Sequence, residues 1–115
     1  MYHYWKHKEY QVADKMSAAG FNAKRVPLSR NVLAGTHEDV VIDDGKMLVD
    51  VKSTIGKKLI TIKREDLEKI QESALKLGYL GIISFSFKND KNHYVILSLN
   101  DFIALKKFAI KYLEV

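Results

Sequence analysis

The stretch Glu38-Asp39-Val40-Val41-Ile42-Asp43-Asp44-Gly45-Lys46-Met47-Leu48-Val49-Asp50-Val51-Lys52-Ser53 decides how this chain folds. Two apolar runs flank Asp44-Gly45, a pair that is the strongest short-range signal for a β-hairpin. With those two residues at the centre of the turn, Asp43 faces Lys46, Ile42 faces Met47, Val41 faces Leu48, Val40 faces Val49 and Asp39 faces Asp50. Directly opposed residues have Cβ atoms only ~4.5 to 5.5 Å apart, where like charges repel. A bound cation would remove that penalty. Side chains alternate along a strand, so Asp50 and Lys52 share one face while Val49 and Val51 point to the other. Two oxygen ligands and an ammonium therefore converge on one spot.

Working outward, the 115 residues suffice for one domain, 1–115, with a single core. Hydrophobic residues at 47% and charged residues at 29% fit a globular chain and exclude a disordered one. No segment approaches the ~18 uninterrupted apolar residues of a membrane span, and the N-terminus lacks the apolar core of a signal peptide. The expected location is the cytoplasm, of a prokaryote or of a virus-infected host. Without cysteine there is no disulfide, thiolate metal site or cysteine nucleophile, so a metal must be held by oxygen or imidazole. That favours a hard cation such as Mg²⁺. The net charge of +5 is compatible with a polyanionic partner, although charge alone identifies none.

Trp5, Glu9, Val12, Ala13 and Met16 recur at helical spacing, and Gly20 stands where a left-handed cap would end that helix. Phe21 to Pro27 reads as a strand, followed by a polar loop from Leu28 to His37. After the acidic hairpin, Lys57 to Ile62 reads as a short strand. A second helix begins near Lys63-Arg64-Glu65, with Leu67, Ile70, Ala74 and Leu77 on its apolar stripe. Glu65, Asp66, Lys69 and Glu72 are expected to face water, and Gly78 closes the helix. Gly81–Phe87 and His93–Leu99 are strands joined by the polar Lys88-Asn89-Asp90-Lys91-Asn92. Asn100 is the expected N-cap of a last helix carrying Phe102, Leu105, Phe108, Ala109 and Tyr112 on one side. The main order is α-β-β-β-α-β-β-α, an α/β fold with a central mixed sheet flanked by helices.

Glu9 lies on the apolar stripe of the first helix and must point inward. A buried carboxylate needs a partner: either a lysine or arginine in a structural pair, or a metal shared with Asp39 and Asp50. Three such acids suit Mg²⁺, which retains several waters. Such a site activates water for attack on phosphorus, with Lys52 orienting or deprotonating that water or stabilising the phosphate in the transition state. Lys24, Arg25, Arg30, Lys57 and Lys58 flank the site as candidate phosphate contacts. His3, His7, His37 and His93 lack zinc-binding spacing. Ser29 has no adjacent His and Asp to form a triad.

An acid on the first helix, an Asp opening a hairpin and an acid-x-Lys in the next strand resemble the PD-(D/E)xK nuclease superfamily. Within it, four features look like the archaeal-type Holliday junction resolvases. They are Glu9, the segment Gly20-Phe21-Asn22-Ala23-Lys24-Arg25-Val26-Pro27-Leu28-Ser29, Asp39-Val40-Val41 and Asp50-Val51-Lys52-Ser53-Thr54. The resemblance implies a restriction-endonuclease-like core with Glu9, Asp39, Asp50 and Lys52 catalytic, the three acids also binding metal. It further implies that Ser29 lies in a loop assisting catalysis and that Arg25 contacts DNA. The family is homodimeric and cuts four-way DNA junctions by paired nicks with Mg²⁺, for which Mn²⁺ is expected to substitute. Two-fold symmetry suits two symmetry-related cuts. The chain departs from the family in having Asp50 where Glu is usual and Glu38 where Pro is usual. The alternatives are another nuclease of the superfamily acting on flaps, single strands or duplex, and a non-catalytic basic DNA-binding module.

Overall fold

A computed structural model of the chain describes residues 4–26, 39–53 and 58–113. Its elements are α1 (Tyr4–Ala18), β1 (Ala23–Arg25), β2 (Val40–Ile42), β3 (Met47–Ser53), α2 (Arg64–Leu77), β4 (Leu80–Ser86), β5 (Tyr94–Ile96) and α3 (Leu99–Leu113). The order is the one expected from the sequence. The strands form one sheet in the order β1-β2-β3-β4-β5, antiparallel throughout except for the parallel β3–β4 pair. A parallel pair needs a crossover, and α2 supplies it.

The hairpin register agrees with the turn argument: Val40 pairs with Val49, Val41 with Leu48 and Ile42 with Met47. The turn conformation differs. Its one left-handed residue is Lys46, with φ 52, and the Lys46 amide donates to the Asp43 carbonyl at 3.2 Å. Gly45 is needed for space instead, because a Cβ there would lie 2.9 Å from the Phe21 ring.

The two faces of the sheet carry separate cores. Under α1 lie Val12, Ala13, Val40, Ile42, Val49, Val51 and Ile82; under α2 lie Leu48, Ile70, Ala74 and Ile83. Gly81 lets α2 sit close on β4, since a Cβ there would come within 2.7 Å of the Ile70 carbonyl oxygen. Helices α1 and α2 both end on left-handed glycines, Gly20 at φ 100 and Gly78 at φ 69.

Several boundaries move, each for a local reason. β1 is shorter than Phe21 to Pro27: the Phe21 amide completes the α1 cap on Met16, and the Asn22 amide donates to both oxygens of Asp44. Among the described residues of Lys57 to Ile62 no strand forms; Ile62 packs against the α2-side core instead. The α3 cap is Ser98, not Asn100, its Oγ accepting the Asp101 amide at 3.1 Å. That cap also ends β5 before Leu99. On the α2 stripe Leu77 is exposed, and the buried position beside Ala74 belongs to Ser73. The Trp5 side chain is not among those described.

The last helix is unlike the others. None of its residues is buried, and Phe102, Leu105, Phe108, Ile110 and Tyr112 are all exposed. Between it and the sheet runs an apolar groove of about 450 Å³. None of the described helices is long and apolar enough to cross a membrane.

Candidate active site

Alternation along β3 places Val49 and Val51 under α1 and sends Asp50 and Lys52 to the α2 face. Asp39, immediately before β2, holds its place through backbone bonds on both sides. Its amide donates to the Val49 carbonyl and its carbonyl accepts from Val26, each at 2.8 Å. The Asp39 carboxylate takes the Val51 amide at 2.7 Å. One residue of the hairpin thus reaches across to clamp the strand that carries its two partners.

The expected crowding of Asp39 and Asp50 is present and adds to a larger effect of burial. Burial pushes Asp39 up to about 8 against the pull of the Val51 amide; the charge of Asp50, a hydrogen bond shared with its carboxyl and the charge of Glu9 add to the rise. Asp50 itself is 8% exposed. Burial and the neighbouring negative charges thus favour a protonated Asp39 up to about pH 8. A divalent cation could take that proton's place, so this donor pair fits a hard metal.

Lys52 lies between two carboxylates, with its Nζ 3.3 Å from Asp50 Oδ2 and 3.3 Å from Asp66 Oδ2. Burial lowers its pKa, but Asp50 and Asp66 outweigh that and hold it above the ordinary lysine value. It is an ammonium. Asp66, expected to face water, is instead the second counter-ion of this lysine. Nothing local in the sequence marks it: its position depends on the crossover that swings the first turn of α2 over the end of β3.

Glu9 points inward, at 6% exposure, and its Oε1 accepts from Arg25 Nε at 2.8 Å. Of the two alternatives for this acid the structure shows the ion pair with an arginine, and the charge of Glu9 is still felt at Asp39. The Arg25 guanidinium also sits 5.0 Å from the centre of the Tyr10 ring. Among the described residues no group of three or more carboxylates or imidazoles is arranged to hold a metal. The Glu9–Arg25 pair accounts for the third acid. Lys24 is exposed on the edge strand β1, and Lys58 is exposed ahead of α2. Ser29, Arg30, His37 and Lys57 lie outside the described residues.

Gln11 bridges His93 Nε2 at 3.0 Å and His7 Nε2 at 2.8 Å, and the buried Lys8 donates to the Asp90 carbonyl at 3.2 Å. This polar string ties α1 to the β4–β5 turn.

The chain is similar to the solved structure of Archaeoglobus fulgidus Hjc, a Holliday junction resolvase from an archaeal hyperthermophile. The TM-score is 0.63 at 18% identity, covering 77% of this chain and 72% of that one. The fold is restriction-endonuclease-like. No family model matches the chain, and no curated protein does.

Proposed function

We propose that this chain is a Mg²⁺-dependent DNA endonuclease that resolves four-way junctions by hydrolysing phosphodiesters. The observation that carries this reading is the Asp39–Asp50–Lys52 constellation on a fold shared with a Holliday junction resolvase. Asp39 and Asp50 would hold the metal, with Glu9 joining them once Arg25 turns to phosphate. When bound, the ion would lower the pKa of a water and offset charge on the phosphate. Lys52, kept charged by Asp50 and Asp66, stabilises negative charge developing on the phosphate oxygens rather than serving as the base. Lys24, Lys58 and Arg25 contact the backbone, with Ser29, Arg30 and Lys57 as further members of the site. Mn²⁺ replaces Mg²⁺ in the same pocket. Two copies act together on the two strands, and the exposed apolar side of α3 supplies contact area for the pair.

The deciding experiment incubates the protein with a synthetic four-way junction, a flap, a duplex and a single strand, with and without Mg²⁺. The reading expects Mg²⁺-dependent cleavage fastest on the junction, and loss of cleavage with retained binding for Asp50→Asn. Fastest cleavage of flap or duplex would move the assignment to another nuclease of this fold. Activity unchanged in both Asp39→Asn and Lys52→Ala would mean that the acids are structural.

A further inference from the structure

The β4–β5 hairpin sets three aromatic rings beside the site for which the hydrolytic chemistry has no use. Phe85 is the register partner of Lys52 on one side and of Tyr94 on the other. One row across the α2 face of the sheet therefore reads Lys52, Phe85, Tyr94. Phe85 and Tyr94 stack with ring centres 5.4 Å apart and 28° between their planes. Phe87 stands edge-on, 5.8 Å from Phe85 and 6.4 Å from Tyr94. None of the three belongs to the core under α2; Phe85 and Phe87 are half-buried and Tyr94 is 44% exposed.

The turn beyond these rings is basic. Lys88 and Lys91 are exposed, while the Asp90 carboxylate is turned back onto the Asn92 amide at 3.0 Å. A patch of aromatic faces edged by lysines is the chemistry that holds unpaired nucleobases, with rings stacking on bases and ammonium groups on the backbone. A base within a duplex presents only its edge. With strands ~4.8 Å apart, Tyr94 stands two spacings, ~10 Å, from the line of Lys52, close enough to serve a nucleotide next to the bound phosphate.

We propose that Phe85, Phe87 and Tyr94 form a stacking subsite for an unpaired base of the DNA strand whose phosphate lies at Asp50 and Lys52. The site thereby favours substrates with unstacked nucleotides beside the cut. The location rests on the nuclease reading above; the stacking itself does not.

The test measures binding without metal, in EDTA, of a single-stranded oligonucleotide carrying one 2-aminopurine and of the same sequence as a duplex. Wild type should bind the single strand and quench the 2-aminopurine. Tyr94→Ala should weaken single-strand binding about 5- to 100-fold and abolish the quench, with duplex binding changed less than about 2-fold, while Tyr94→Phe behaves as wild type. Phe87→Leu gives the same readout should Tyr94→Ala fail to fold by circular dichroism. Unchanged single-strand binding, or an equal loss on both DNAs, overturns the proposal. So does a change of oligomeric state in Tyr94→Ala, which would assign the rings to a contact between copies. Absence of Mg²⁺-dependent cleavage on every DNA, with the stacking signature intact, would instead sink the nuclease reading alone.

Discussion

At Asp39 two preferences of a carboxyl oppose each other: the Val51 amide favours its charged form, and burial beside Asp50 favours its neutral one. Burial wins, and the folded pKa stands at about 8 against an ordinary 3.8. A raised acid contributes stability that is complete below the unfolded value and is lost as pH rises through the folded one. Metal-free protein should therefore lose stability progressively between pH 4 and pH 8 through this group. Added Mg²⁺ should restore the melting temperature most at the alkaline end. Thermal melts across that range check it, and an Asp39→Asn variant showing the same pH slope would refute it. Lys52 and Asp66 give a second prediction at this scale. Lys52→Ala removes a charge aimed at the phosphate and should lower the cleavage rate by ~10²-fold or more. Asp66→Asn leaves Asp50 to hold the lysine and should cost less than about tenfold. Single-turnover cleavage rates compare the two, and equal losses would mean that Asp66 itself touches substrate.

Helix α2 and strand β4 are joined by a contact with no slack. A methyl at Gly81 would meet the Ile70 carbonyl at 2.7 Å and the Ala74 Cβ at 3.0 Å. Gly81→Ala must push the helix outward, and overpacking of this kind costs about 1–3 kcal/mol. A urea midpoint unchanged from wild type would show that α2 shifts freely. Because α2 carries Asp66, the same variant should also loosen Lys52. The elements differ in how much the sequence revealed of them. The β2–β3 register was legible because Asp44-Gly45 allows one alignment of two short apolar runs, and that alignment carried Asp39, Asp50 and Lys52 with it. The inward turn of Glu9 was legible from its neighbours on the helix. Its pairing with Arg25 was an open alternative, since helix periodicity gives direction but not partner. Asp66 was illegible, because its place depends on a crossover whose path no local pattern encodes. The missing strand near Ile62 shows the same limit: a short apolar run satisfies a strand or a connecting segment equally well.

Across the whole molecule the apolar surface is unevenly distributed. The sheet is covered by α1 on one face and α2 on the other, while α3 leaves Phe102, Phe108, Tyr112 and their neighbours exposed. If this helix joins two copies, Phe108→Glu should convert a dimer to a monomer and change the unfolding free energy of the separated chain by less than about 0.5 kcal/mol. Sedimentation velocity decides, and an unaltered sedimentation coefficient would exclude that face. The parallel pairing of β3 with β4 also orders events in time. Hairpin β2–β3 closes a short turn by local contacts and forms on a scale of ~1–10 μs, whereas β4 must wait for the chain between Ser53 and Leu80 to loop back. A refolding chain thus brings Asp39 and Asp50 together first, with both side chains still in water. The raised affinity of Asp39 for its proton, and the ammonium that faces the pair, are established only when α2 closes over the strand.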